Sequence, residues 1–250
     1  MRRLEGKVAI VTGATMGIGE ATARRLHEEG ARLVLVARGR ERCEALAREL
    51  GKGTTFVAGS VTDRDVGDAA VSAAADLGGV DVLVNNAGVD LTGGLLDIDE
   101  AEVRQTVETN FFGALWMLVR VGRELRDRGG GSIVNVTSRL ASIGVPTMSI
   151  YAASKGALLA LTRSAAVELA EFNIRVNAVA PGLTETPLLR EWIASQPDPE
   201  AFEQRIRHTI PQRRLASASD VAAAIAYLSA DESAHVTGIS IPVDGGYTAA

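Results

Sequence analysis

Short, near-continuous apolar runs alternate along the chain with longer stretches in which apolar and polar residues mix. The runs cover 7–13 (KVAIVTG), 31–37 (ARLVLVA), 53–59 (GTTFVAG), 80–88 (VDVLVNNAG), 131–138 (GSIVNVTS), 174–182 (IRVNAVAPG) and 238–246 (GISIPVDGG). They are rich in β-branched residues and do not alternate with polar positions, the pattern of strands buried on both faces of a sheet. Helical patterns fill the intervals: Gly17–Glu29, Arg40–Leu50, Asp63–Leu77, Asp99–Arg128, Met148–Glu171 and Ser219–Ala230. Asp63 and Ser219 stand where N-caps belong, and Asp97 or Asp99 precedes the longest helical run. Strand–helix alternation of this kind requires right-handed crossovers. It predicts an α/β fold, a single doubly wound domain over 1–250 with a seven-stranded parallel sheet flanked by helices. One stretch departs from the rhythm. Residues 183–214 carry Pro187, Pro197, Pro199 and Pro211 between helical fragments, which predicts a substrate loop or lid.

The first strand runs into a glycine-rich turn, TGATMGIG, and then a helix. Gly13, Gly17 and Gly19, with Thr15, Met16 and Ile18 between and beside them, let backbone N–H groups approach a phosphate at the positive end of that helix. The spacing is G-x-x-x-G-x-G rather than the commoner G-x-G-x-x-G, and no Lys-Ser or Lys-Thr pair follows as a P-loop requires. The second strand ends Ala37-Arg38. An NAD-preferring site has a carboxylate near this point to hold the ribose 2′-hydroxyl. Here a guanidinium stands ready for a 2′-phosphate instead, with Arg40 as a helper, so NADP is the expected cofactor and NAD the alternative.

Taken together, the motifs resemble the classical short-chain dehydrogenases/reductases over essentially the whole chain, most of all their bacterial 3-oxoacyl–acyl carrier protein reductase-like members. TGATMGIG (12–19), NNAG (85–88), PGLTET (181–186) and TGISIPVDGG near the C-terminus are similar to family motifs in the same order. Asn110, Ser138, Tyr151 and Lys155 fall at the spacings of the family's catalytic tetrad. The resemblance implies a Rossmann-like fold and an oxidoreductase that moves hydride between a nicotinamide cofactor and a ketone or secondary alcohol. It implies cofactor contacts at the glycine turn, Asn86, Ala87, Gly88, Tyr151, Lys155, Pro181, Gly182, Thr184 and Thr186. Two positions depart from the pattern. Met16 stands where NADP-using members often carry a basic residue, and Ser60 replaces the Asp or Asn that commonly bonds adenine, leaving that contact to backbone near Val61.

The chemistry suits those residue types. A free tyrosine titrates near 10, so a nearby lysine ammonium is expected to lower the Tyr151 pKa, and positions i and i+4 share one helix face. By resemblance Tyr151 is the general acid in reduction and the base in oxidation. Lys155 also holds the nicotinamide ribose, Ser138 holds the carbonyl oxygen, and Asn110 supports a water that links Lys155 to solvent. Arg139, Met148 and Ser149 flank these residues and are candidates for substrate contact. Leu188, Leu189, Trp192, Ile193, Phe202 and Ile206 would give the lid an apolar inner face or pack it onto the body.

Composition narrows the remaining options. A net charge of −5 gives no basic surface for nucleic acid or an anionic membrane. The lone Cys43 excludes an intramolecular disulfide, and the scattered His27, His208 and His235 lack ligand spacing, so no metal is expected. No run approaches the roughly 20 apolar residues of a membrane span, and the N-terminus has no signal-peptide pattern; a cytoplasmic protein is expected. Apolar residues on more than one side of 99–128 and 148–171 suggest helices packed on two sides, and the family precedent makes a homotetramer the expectation. The AVELAEFN end (166–173) is acidic, although Arg123, Arg126 and Arg128 are close in sequence. That favours a small-molecule partner over an acidic acyl carrier protein. Three alternatives remain open: a 3-oxoacyl–acyl carrier protein reductase, an NAD-preferring alcohol or sugar dehydrogenase, and a dinucleotide-sensing protein without chemistry.

Overall fold

A computed structural model describes residues 2–250. Strands β1 (Val8–Thr12), β2 (Arg32–Ala37), β3 (Thr54–Ala58), β4 (Val82–Asn85), β5 (Gly131–Val136) and β6 (Ile174–Pro181) enter the main sheet. Two short strands, β7 (Thr184–Glu185) and β8 (Ala216–Ser217), pair separately, and β9 (Ser240–Val243) completes the main sheet. The seven strands are ordered β3-β2-β1-β4-β5-β6-β9, and every pairing is parallel. Each central strand is buried on both faces, as its unbroken apolar run predicts.

Helices cover both faces of the sheet. On one side α1 (Gly17–Glu28) and α2 (Arg40–Leu50) pack with α9 (Ala218–Ser229) over Leu33, Val84 and Val134. On the other, α3 (Arg64–Asp76), α5 (Ala114–Arg128) and α6 (Ser149–Leu169) pack over Val34, Leu83 and Ile133. Successive residues of a strand thus serve opposite cores, which is why neither face could be polar. The strand order reverses between β1 and β4, so the carboxyl ends of these two strands open the crevice where doubly wound sheets bind ligands.

Two expectations need correction. The run 99–128 is not one regular α-helix. Helix α4 (Glu100–Val107), capped by Asp99, passes into a π-turn (Glu108–Gly113) before α5 begins. No proline interrupts the run, and its one glycine here, Gly113, ends the π-turn. Gly113 is pressed so closely on Val61 that a Cβ would lie 2.6 Å from Val61 Cγ2, and Asn110 is drawn into the crevice. The cap of α9 is Ser217 rather than Ser219, in a reciprocal capping box with Asp220. The fragments in 183–214 are α7 (Pro187–Ala194) and α8 (Pro199–His208), capped by Thr186 and Asp198, with β7 and β8 pairing Thr184 to Ala216 at their base. Cys43 is fully buried on α2, and burial pushes its thiol up from the ordinary value.

Candidate active site

The glycine turn leaves β1 with Gly13 at φ +64° and closes against the end of β4. Thr12 organises the junction. Its hydroxyl donates to the Val84 carbonyl (3.3 Å) and accepts from the Asn86 and Ala87 N–H groups (3.0 and 3.1 Å). The Asn86 amide donates to the Thr12 and Gly13 carbonyls (2.9 and 3.2 Å). A Cβ at Gly19 would lie 2.1 Å from the Gly13 carbonyl oxygen, so only glycine lets the turn fold this tightly. Met16, half exposed, precedes α1, and no side chain caps that helix. Its first N–H groups have no side-chain cap, and the positive helix end lies behind them. Thr15 and Ile18 are half-buried alongside. Across the turn, the Thr186 methyl faces Gly17, where a Cβ would be 3.2 Å away. This cradle fits the diphosphate of a dinucleotide.

The flanking contacts fall into place around it. Arg38 lies just past β2, exposed and without an ion pair or hydrogen bond among the described residues. Val61 is buried; the Ser60 hydroxyl is engaged with that of Thr62 at 2.8 Å. Pro181 ends β6, and Gly182 sits so close to Asp244 that a Cβ would be 2.7 Å from its Cα. The Thr184 hydroxyl donates back to the Gly182 carbonyl, and Thr186 Oγ1 accepts from the Leu189 N–H.

The four polar residues from distant segments converge at the carboxyl edge. Asn110, at the centre of the π-turn, is fully buried. Its Oδ1 accepts from the Val89 N–H (2.8 Å), and its Nδ2 donates to the Val89 carbonyl (2.9 Å) and to Ser154 Oγ (3.1 Å). Ser154 Oγ in turn donates to the Tyr151 carbonyl (2.7 Å), tying the π-turn to the first turns of α6. Lys155 is buried, and its Nζ donates to the Val136 carbonyl at 2.9 Å. Gly88 is close above it, where a Cβ would be 3.3 Å from Nζ and 3.2 Å from Asn110 Oδ1. Ser138, at the end of β5, caps a short turn and faces the Tyr151 phenol.

The electrostatics correct one expectation. Burial, with Asp90 adding to it, raises the Tyr151 pKa above the ordinary phenol value, and the hydrogen bond with Ser138 opposes the rise. Lys155 does not lower it as expected: its ammonium lies 5.8 Å from the tyrosine ring centroid, with one N–H donated to the Val136 carbonyl and two left free. Burial lowers Lys155 itself to about 8, with Asp90 opposing. Sequence reasoning missed Asp90, Thr12 and Ser154. Each had a signal, since Asp90 follows NNAG by one residue, Thr12 opens the glycine motif and Ser154 directly precedes Lys155.

The flanking candidates divide. Ser149 and Met148 stand at the start of α6 beside the crevice. Arg139 turns away from it, stacking on Tyr247 at 3.8 Å, with Asp244 also felt by its charge. In the lid, Ile193 and Ile206 bury against Ile210 and Leu215 with Leu189 and Phe202 packed on them, so these residues hold the lid together. Only Leu188 and Trp192 present large exposed apolar surface. Among the described residues, no helix is long and apolar enough to cross a membrane, and no cluster of His, Cys, Asp or Glu is placed to hold a metal.

Known proteins are similar to this chain in sequence and architecture. A family described as enoyl-(acyl carrier protein) reductase matches residues 13–248. The chain is 42% identical to a cis-4-hydroxycyclohexanecarboxylate dehydrogenase from Sinomonas cyclohexanicum, over 97% of each chain. It is 37% identical to a 3-oxoacyl–acyl-carrier-protein reductase from Thermotoga maritima, over 98% of each. Its fold matches the crystal structure of levodione reductase with a TM-score of 0.94 at 31% identity, covering 99% of both chains.

Proposed function

The chain belongs to the classical short-chain dehydrogenase/reductase family, whose members act on CH–OH and C=O groups with a nicotinamide cofactor. From that premise we propose that this protein prefers NADP(H) and interconverts a small ketone and its secondary alcohol. One observation carries the reading: Ser138, Tyr151, Lys155 and Asn110 meet in the crevice that the glycine turn opens.

The turn from Gly13 to Gly19 and the uncapped start of α1 would hold the diphosphate, and Arg38 the 2′-phosphate. Ser60 and the Val61 backbone would border the adenine. Asn86, Ala87 and Gly88 would line the ribose, and Pro181, Gly182, Thr184 and Thr186 the nicotinamide side. The bound cofactor supplies or accepts the hydride. This chain's residues do the rest. Ser138 Oγ orients the substrate oxygen. The Tyr151 phenol gives that oxygen a proton in reduction and takes it in oxidation. Lys155 places a positive charge and a ribose donor beneath it. Asn110 fixes the Val89 backbone and supports the solvent path to Lys155. Burial holds the Tyr151 phenol in its neutral form, the form that reduction needs.

The acyl carrier reductase is the second reading, which the Thermotoga relative favours. Against it, exposed Glu168 and Glu171 border the end of α6. Arg128 is committed to the Val80 carbonyl and Asp81. A cytoplasmic homotetramer built on α5 and α6 completes the proposal; Val167 on α6 is 80% exposed in the single chain.

The test measures NADPH and NADH binding by nucleotide fluorescence, with Arg38→Ala alongside, and then turnover on small ketones and an oxoacyl-carrier substrate. The proposal expects tighter NADPH binding, lost by at least ~10-fold in the variant, in line with about 1.4 kcal/mol or more for a charge-assisted pair. It expects turnover of a small ketone. Binding without turnover of any carbonyl would favour a dinucleotide sensor instead.

A further inference from the structure

The segment after β4 is tied down at two points, and both ties lead to the proposed catalytic residues. At one end, Val89 is held through its N–H and its carbonyl by Asn110. At the other, the Gly93 N–H donates to the Thr147 carbonyl (2.9 Å), and the Thr92 hydroxyl meets Met148 Sδ (3.2 Å). Thr147 and Met148 lead directly into α6 and Tyr151. Asp90 lies between these ties, at the mouth of the crevice. Its carboxylate makes no hydrogen bond or ion pair among the described residues; the residue reaches the surface, while its carboxyl is partly desolvated.

No cation is paired with it, but the Lys155 ammonium is close enough for its charge to favour the ionised carboxylate. Lys155 donates to the Val136 carbonyl, and Arg139 is stacked on Tyr247. Tyr151 and Lys155 both feel the charge of Asp90, and desolvation raises the carboxyl's own pKa. The negative charge works against phenolate formation on Tyr151. An ionised carboxylate is an acceptor only, so a substrate hydroxyl can donate to it, while a substrate carboxylate is repelled and left unpaired.

We propose that Asp90 is a specificity-determining residue that selects neutral substrates carrying a hydroxyl beside the reacting carbinol or carbonyl, and rejects substrates carrying a carboxylate there. The substrate class is then a vicinal diol or hydroxyketone. This rests on the proposed oxidoreductase reading of the same crevice.

The test compares cyclohexanol, cis-1,2-cyclohexanediol and cis-2-hydroxycyclohexanecarboxylate as alcohols for oxidation by the wild type, Asp90→Asn and Asp90→Ala. Ratios of kcat/KM are read, so that a change in Tyr151 acidity common to all three alcohols cancels. The wild type is expected to favour the diol over the carboxylate by ~100-fold or more, and both variants to cut that ratio at least ~10-fold. Asp90→Asn keeps one acceptor oxygen without the charge, so it should retain more of the diol-over-cyclohexanol preference than Asp90→Ala. Ratios unchanged within about 3-fold in both variants would overturn the assignment, since ~10-fold corresponds to only 1.4 kcal/mol. If the wild type oxidises none of the three, the oxidoreductase reading fails separately. The same compounds are then titrated by calorimetry into protein saturated with oxidised cofactor. A diol preference that Asp90→Ala removes supports Asp90, and equal affinities overturn it.

Discussion

Asn110 and Val89 are joined at both ends of one side-chain amide, which accepts from the Val89 N–H and donates to the Val89 carbonyl. The pair locks the loop after β4 onto the π-turn. Ser154 Oγ donates to the Tyr151 carbonyl, so it can only accept from Asn110 Nδ2. Asn110→Asp therefore sets an acceptor against two acceptors, while Asn110→Ala leaves both Val89 groups unpaired. Each substitution is expected to destabilise the fold by about 1–3 kcal/mol, with Asp at least as costly as Ala. Urea unfolding decides this; wild-type midpoints in both variants would show that the clamp does not matter.

Two glycines should respond in opposite directions. A Cβ at Gly19 would meet the Gly13 carbonyl and come within 2.4 Å of Asn86 Nδ2. Gly19→Ala is expected to lose about 1–3 kcal/mol of stability and to weaken nucleotide binding. At Gly122, inside α5, the nearest atom to a new Cβ is Leu169 Cδ1 at 4.0 Å. Gly122→Ala is expected to gain about 0.5–1 kcal/mol from helix propensity alone. Denaturant curves on both variants check the pair, and a loss at Gly122 would contradict the packing described for that face.

The buried lysine makes stability depend on pH. Burial lowers Lys155 from its ordinary 10.5 to about 8, with Asp90 opposing. Between those values the unfolded chain binds the extra proton, so this group makes the folded state relatively more stable as pH rises from about 8 towards 10.5. Lys155→Met removes the effect. Its stability advantage over the wild type at pH 7 should shrink by up to about 3 kcal/mol by pH 10. Urea titrations at the two pH values measure the difference, and one that does not change with pH would mean the ammonium is not desolvated.

Much of this architecture was legible because its signals are local. Short β-branched runs such as those within Val8–Thr12 and Val82–Asn85, flanked by turn residues, read as strands covered on both faces, and Asp63 and Asp99 cap the helices they precede. The tetrad and the glycine turn were legible as spacing. What escaped depends on contacts between segments remote in sequence. The π-turn exists because Asn110 reaches Val89 and Gly113 packs on Val61, neither of which leaves a periodicity. The rise in the Tyr151 pKa follows from burial and from Asp90, whereas the sequence offered only the lysine four residues on. The lid's apolar residues looked the same in sequence, yet Ile193 and Ile206 are buried in one core, Trp192 stacks edge-on against Phe202 at its rim, and Leu188 stays exposed.

The central claim is that the Tyr151 phenol transfers the proton, and removing one oxygen atom tests it. Tyr151→Phe keeps the ring and the turn of α6 that Ser154 ties to Asn110 through the Tyr151 carbonyl. Single-turnover reduction of a ketone that the wild type accepts should be followed at saturating NADPH, with nucleotide affinity measured alongside. The rate is expected to fall by ~100-fold or more, as for loss of a general acid, with nucleotide binding within a few-fold of the wild type. A rate within about 3-fold of the wild type would contradict it, because general acid–base catalysis contributes at least ~100-fold where it operates.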